Sequence, residues 1–237
     1  MGYEFQCSKM TLTNKKNSIR TKYSLDKKIL EQKDMVKYLG VTIDKKLTFE
    51  HHIKNKCKSA RTILNMLRRN LYFAPKSVKQ KAYQACVLSI IEYASTCWSP
   101  NSDKMNNAIE MVQHDAARFI TNTTNSRKHS ITKILNYLNF DTLEERRTKA
   151  KLLMAYKIIN GHVILEPNML PKNQRPMREC NTANVGKENQ LIEPRGRLQV
   201  IENTFFYFIP KIWNQRVTPA QAKAPSIDAF KANISKK

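Results

Sequence analysis

The stretch TFEHHIKNKCKSARTILNMLRRNL, residues 48–71, decides the fold class. Ile53, Cys57, Ala60, Leu64, Leu67 and Leu71 recur at steps of three and four, the spacing that aligns side chains on one face of an α-helix. Lys54, Lys58, Arg61, Arg68 and Arg69 fall on an adjoining face of the same helix. By base rate a basic helical face is a solvated surface rather than a binding site. The charge of the whole chain shifts that balance: 42 Lys plus Arg stand against 19 Asp plus Glu, a formal +23.

On the N-terminal side of this helix the period changes. Within 19–43, Tyr23, Leu25, Ile29, Val36, Tyr38, Val41 and Ile43 alternate with polar residues, which predicts two or three short strands. Turns are expected at Asp26-Lys27 and Gln32–Asp34, and Gly40 interrupts the best strand, a place for a bend or a close approach. On the C-terminal side, Pro75 opens a second helix expected over Lys76–Trp98. Its centre AYQACVLSIIEYA, residues 82–94, is apolar nearly all round, so this helix is expected to be the most buried. A third follows with Met105, Ile109, Val112, Ala116, Phe119 and Ile120 on one side, then a shorter one over Ile131–Leu138.

Asp141 and Glu144 form a capping pair for a helix that runs to Asn160, with Gly161 as its stop. Arg146, Arg147, Lys149, Lys151 and Lys157 make it another basic surface element. Residues 162–200 carry Pro167, Pro171, Pro176 and Pro194 among scattered arginines and read as a loop or linker. Order returns with TFFYFIPKIWN (204–214), an aromatic cluster expected to be buried, and a terminal helix over Ser226–Ile234. The fold class is therefore mainly α: a helical bundle after a small antiparallel β-hairpin, with a loop-rich C-terminal region. Four regions result, 1–47, 48–161, 162–200 and 201–237.

A chain of 237 residues is long enough to bury a real core, hiding roughly 70% of its unfolded surface. Such an excess of positive charge is commonly offset by a polyanion; nucleic acid leads and an anionic membrane surface comes second. No apolar run is long enough to span a bilayer, and MGYEFQCSKM lacks the regions of a signal peptide. An intracellular protein, nuclear or cytoplasmic and not secreted, is expected. Cys7, Cys57, Cys86, Cys97 and Cys180 form no CxxC pair, and most are expected to be small buried hydrophobes. His51 and His52 with Cys57 nearby offer ligand types for a metal but no fourth group, so no metal site is assigned.

Several segments, in this order, resemble the C-terminal third of non-LTR, LINE-type and jockey-like, retrotransposon reverse transcriptases. CSKMTLT, containing Met10, looks like a degraded form of the segment after the catalytic motif. Lys37-Tyr38-Leu39-Gly40-Val41 is similar to the primer-grip hairpin, followed by Leu47-Thr48-Phe49 and His52-Ile53. Leu67-Arg68-Arg69-Asn70-Leu71 and Glu92-Tyr93-Ala94-Ser95-Thr96, with Trp98 and Pro100, resemble thumb helices. Ile109–Gln113, Ala116–Phe119, Leu143–Arg147, Tyr156-Lys157-Ile158 and Asn160-Gly161 continue the series. Near the end Phe205, Phe206, Trp213 and Asn214 match, whereas Tyr207 and Phe208 replace the usual Pro-Arg. The set spans nearly the whole chain, and its order is more specific than any one motif.

The resemblance implies that Lys37–Val41 holds a primer terminus, with backbone at Gly40 close to the strand. It implies too that Lys54, Lys58, Arg61, Arg68 and Arg69, with Arg146 and Arg147, track the backbone of an RNA–DNA hybrid or duplex without reading sequence. Reverse transcriptases use two metal ions held by aspartates, magnesium in the full-length enzymes, and in this family two of those aspartates are adjacent. This chain has no adjacent Asp-Asp pair; its neighbouring carboxylates Glu144 and Glu145 have a capping explanation. The expectation is a non-catalytic fragment that needs no cofactor, binds template–primer, and pairs with the missing fingers and palm. A domesticated helical DNA-binding regulator, an interaction protein whose charge serves solubility, and a decayed fragment without function stay open as alternatives.

Overall fold

The computed structural model describes residues 24–25, 28–29, 33–100, 102–123, 130–164, 170, 190–193 and 204–235. The Met10 segment, the 26–27 turn and most of the 162–200 loop lie outside them. Two antiparallel hairpins come first. β1 (Ser24–Leu25) pairs β2 (Lys28–Ile29), and β3 (Met35–Tyr38) pairs β4 (Val41–Asp44) with Tyr38 opposite Val41.

That last register corrects the expected interruption of a strand at Gly40. Leu39 and Gly40 are the two turn residues, with φ of 43° and 79°. Two positive φ values are what a two-residue type I′ hairpin turn requires, because its twist matches that of the strands.

Helices make up the rest, α1 (Glu50–Asn70), α4 (Asp103–Thr121) and α5 (Ile131–Tyr137) close to where their periodicity predicts. The second helix starts as α2 (Lys76–Ala82), widens into a π-helical turn (Tyr83–Leu88) and finishes as α3 (Ser89–Glu92). It ends six residues before Trp98, because Tyr93 turns to ψ 122° and Ala94 to φ 53°. Nor is it the most buried helix. Gln84, Ala85, Cys86 and Ser89 face solvent, while α4 buries Met105, Ile109, Val112, Gln113, Ala116, Ala117, Phe119 and Ile120. Of the described cysteines only Cys57 is buried; Cys86 and Cys97 are exposed, against expectation.

The next helix, α6 (Leu143–Ile159), is capped by Thr142, whose side chain accepts from the Glu145 amide at 3.1 Å. The capping residue is thus one place later than Asp141, whose carboxylate is taken by Lys149 at 2.6 Å. Gly161 follows at φ 75°, the left-handed stop expected there. The basic surface predicted for α6 also gives way, since Arg147 and Lys151 are each only 4% exposed.

Beyond the loop, α7 (Phe205–Arg216) buries Ile209, Pro210 and Trp213. A short α8 (Pro219–Ala222), unforeseen in the sequence reading, is fixed by a capping box between Thr218 and Gln221 with Pro219 at its first position. α9 (Ile227–Ser235) closes the chain.

Two apolar cores result. The first joins α1, α2, the π-helical turn, α3, α4 and α5, and it reaches Val41 of the hairpin and Leu143 at the start of α6. The second gathers Leu152, Ala155 and Tyr156 of α6 with Ile209, Trp213 and Phe230. Phe230 stacks between Tyr156 and Trp213, at 4.3 and 5.8 Å. Helix α6 therefore belongs to both cores.

A buried lysine ties the first core together. Lys79, 1% exposed, donates to the Tyr72 carbonyl at 2.9 Å and to Asn122 Oδ1 at 2.6 Å. Those acceptors sit just past the C-terminal ends of α1 and α4, where a cation is favoured by the helix dipoles.

Candidate nucleic-acid interface

The β3–β4 hairpin and the first turns of α1 form one continuous surface. Lys37, Tyr38 and Leu39 are exposed at the hairpin tip, while Val36 and Val41 point inward. A tyrosine from the other side of the fold holds that tip: Tyr93 Oη donates to the Leu39 carbonyl at 2.9 Å. The close approach that Gly40 permits is to this ring, since a Cβ there would stand 3.2 Å from Tyr93 Cε1. Two segments singled out separately in the sequence, Lys37–Val41 and Glu92–Thr96, thus meet in space. Lys56 Nζ lies 4.9 Å from the centre of the Tyr93 ring, which adds a cation beside the tip.

The hairpin is also fastened to α1. His52, buried, accepts from the Thr42 amide through Nδ1 at 3.2 Å and meets Trp98 edge-on at 5.5 Å. Burial, and then the charges of Lys56 and His51, lower its pKa to about 4. His52 is therefore neutral at physiological pH, with its proton on Nε2. Trp98 in turn donates from Nε1 to the Tyr93 carbonyl at 3.0 Å. His52 and Cys57 serve this packing and share no site with His51, whose ring pairs with Asn55 at 3.2 Å.

Asp44 organises the entry into α1. Its carboxylate accepts from the amides of Lys46, Thr48 and Phe49 and from the Thr48 hydroxyl, at 2.6–3.1 Å. Burial by itself raises its pKa, but these hydrogen bonds hold it below the usual carboxylate range by favouring the charged form. The same carboxylate fixes the loop that leads into α1, whose cap residue Phe49 offers no side-chain acceptor; the Glu50 amide goes instead to the Thr48 hydroxyl at 3.5 Å.

Leu39, Leu47, Phe49 and Ala94 have φ of 43°, 54°, 56° and 53°. Bulky side chains rarely adopt that region, and such outliers gather where a structure must hold a special shape. All four lie in the hairpin tip, the α1 entry, or the turn that carries Tyr93.

Along α1, Lys54, Lys58, Arg61, Arg68 and Arg69 fall within an arc of about 100°, at 100° per residue. Three are partly engaged. Lys54 pairs with Glu50 at 3.3 Å, Arg61 with Asp115 at 3.9 Å, and Arg68 donates to the Asp115 carbonyl at 2.9 Å. Lys58 and Arg69 are exposed and make no ion pair among the described residues.

Arg146 and Arg147 do not join this stripe. Arg146 makes a bidentate pair with Glu92, and that pairing, with burial opposing it, raises its pKa. Arg147 points inward, with Nη2 on Asn106 Oδ1 at 2.9 Å. Lys56 and Asp44 are the members that sequence reasoning missed; Tyr93 and His52 stood in its motifs without their part in holding the hairpin. Of these two, Asp44 left a trace, an Asp six residues ahead of the first residue of α1 in a stretch suited to a turn.

Over 162 residues, 67% of this chain, the sequence is 29% identical to a probable RNA-directed DNA polymerase from transposon BS of Drosophila melanogaster. The chain spans 17% of that protein's length. The similarity supports a reverse transcriptase-related protein. No family model and no solved structure matches.

Proposed function

We propose that this chain corresponds to the primer-grip hairpin, thumb and C-terminal region of a non-LTR retrotransposon reverse transcriptase, and that it holds template–primer nucleic acid by its backbone. The observation that carries this reading is the clamp of Tyr93 on the Leu39 carbonyl. It fixes an exposed Lys-Tyr-Leu tip with Lys56 beside the clamping ring, while the basic stripe of α1 supplies a second, separate line of cations. A held tip and a helical line of cations suit a duplex whose phosphates are followed without reading bases.

The donor set does not suit nucleotide transfer. The chain has no adjacent aspartates, and the described residues include no group of three or more His, Cys, Asp or Glu that could hold a metal. A two-metal centre needs such carboxylates, so no chemical step is assigned to these residues. The partner is an RNA–DNA hybrid or duplex, and the upstream polymerase portion is the protein partner.

The test is fluorescence anisotropy with labelled duplexes and hybrids at several salt concentrations. Five phosphate contacts correspond to a loss of about two to three decades of affinity between roughly 50 and 200 mM salt. Replacing Lys54, Lys58, Arg61 and Arg68 with Ala flattens that slope. A charge-matched set on other surfaces, Lys81, Lys104, Lys211 and Lys231 to Ala, leaves it steep. Absent micromolar binding at low salt, or a slope equally flattened by both sets, refutes the reading. Strong preference for one base sequence points instead to a DNA-binding regulator.

A further inference from the structure

A second basic feature lies away from the hairpin, in a small cleft between α6, the segment before α4, and α7. It has room for about 80 Å³ and is lined by Ser99, Asn106, Arg147, Lys151 and Phe208, with Glu144 on its wall. A space of this size accommodates a small oxyanion.

Two buried cations face this cleft from one helix. Arg147 and Lys151 are four residues apart on α6 and each 4% exposed. Neither makes an ion pair among the described residues. Their hydrogen-bond acceptors are neutral: Asn106 Oδ1 for Arg147 at 2.9 Å, and the Ser99 hydroxyl for Lys151. Lys151 also stands 4.5 Å from the centre of the Phe208 ring. One guanidinium nitrogen, Nη1 of Arg147, is buried and has no hydrogen-bond partner among the described residues.

This arrangement is costly as it stands. Buried charge is tolerated when it is paired, and an unpaired one bears the full loss of hydration. Burial, and then the charge of Arg147, lower the Lys151 pKa to about 8. Glu110 and Glu144 act on Arg147 from a distance, partly opposing the effect of its burial; neither bridges the two cations. Glu144 is exposed, and its amide is held by the Glu110 carboxylate at 2.9 Å. Among the described residues no negatively charged acceptor stands between Arg147 and Lys151.

We propose that this cleft is a binding site for a phosphate-class oxyanion, received by Arg147 and Lys151 with the Ser99 hydroxyl beside them. Charge-assisted bonds from a guanidinium and an ammonium suit a phosphate group. The ligand is free inorganic phosphate or the terminal phosphate of an oligonucleotide. Neither requires the α1 stripe, so this site and the template-binding reading can fail separately.

Thermal unfolding of the whole chain at pH 7 tests the site, with inorganic phosphate titrated against sodium chloride at equal ionic strength. The melting temperature of the parent rises by several degrees and saturates, as binding to the native state requires. Lys151→Met keeps the aliphatic stem and removes a buried charge, so it folds; its titration midpoint moves at least tenfold higher. Arg147→Met serves as the second variant, and ³¹P line broadening of phosphate by the parent, lost in Lys151→Met, is an independent readout. A 5′-phosphorylated oligonucleotide that displaces phosphate tenfold better than its 5′-hydroxyl counterpart assigns the site to a strand end. Equal displacement with intact phosphate saturation assigns it to the free ion. A parent that does not respond beyond chloride, or a Lys151→Met variant with the parent's midpoint, overturns the proposal.

Discussion

Gly40→Ala is the sharpest perturbation of the hairpin tip, because two separable costs meet at one atom. At φ 79° an alanine adopts the left-handed region at a cost of about 1 kcal/mol. Its Cβ also arrives 3.2 Å from Tyr93 Cε1, closer than ordinary packing, and the ring cannot swing away freely while its hydroxyl holds the Leu39 carbonyl at 2.9 Å. Weakening that hydrogen bond adds about 1 kcal/mol, for a total near 2 kcal/mol. Gly40→Asn divides the two, since asparagine tolerates positive φ but brings the same Cβ; it should cost about half as much. Tyr93→Phe removes the hydroxyl alone and should cost about 1 kcal/mol. The assay is urea unfolding with m held constant, together with amide exchange at Val36 and Tyr38 to register opening of the hairpin alone. If Gly40→Ala matched the parent within about 0.3 kcal/mol in both measurements, far below the ~2 kcal/mol expected from strain and contact, the clamp would not exist as described.

Lys79→Met removes the cation that joins the ends of α1 and α4 and leaves the Tyr72 carbonyl and Asn122 Oδ1 without it. A loss of about 2 kcal/mol is expected in urea unfolding, in the range for charged hydrogen bonds; a variant as stable as the parent would show the lysine to be incidental. Asp44 supplies the pH dependence. Its folded pKa lies below the usual carboxylate range, so the stability it contributes is fully present above the unfolded pKa and lost as pH falls through the folded one. Asp44→Asn should therefore lower the melting temperature at pH 7, with the difference from the parent narrowing as pH falls below the unfolded Asp value of about 3.9; a gap independent of pH would contradict the carboxylate's role.

The main elements were legible because their cause is local. In α1 the apolar steps at Ile53, Cys57, Ala60, Leu64 and Leu67 are the residues the fold buries, since one face of a helix has only one way to be satisfied. Boundaries were harder. Asp141 and Thr142 both cap well by residue type, and the choice fell to Thr142 because the Asp141 carboxylate pairs with Lys149 and its carbonyl accepts from Gln113 at 2.9 Å. The second helix stops at Glu92 with neither Gly nor Pro to announce it, and Ala94 takes a left-handed turn on tertiary demand. The α8 capping box, Thr218-Pro219-Ala220-Gln221, carried its signal in full and went unread.

The candidate interface divides in the same way. The Lys-Tyr-Leu-Gly-Val tip and the basic stripe of α1 were visible as motif and periodicity. The clamp that orients the tip joins residues 54 apart in sequence, a separation at which no pattern operates. Burial of Arg147 and Lys151 was likewise invisible, because a Lys/Arg-rich helix reads as a wet surface until its neighbours are placed.

The double membership of α6 has a mechanical consequence. Glu92, the last residue before the clamping tyrosine, is gripped by Arg146 near the start of a helix whose far half is embedded among Tyr156, Trp213 and Phe230. A 17-residue α-helix is a rod of about 25 Å. The clamp at the hairpin tip, the Glu92–Arg146 pair and the aromatic stack are thus strung on one rigid helix, so the tip and the stack share a single support.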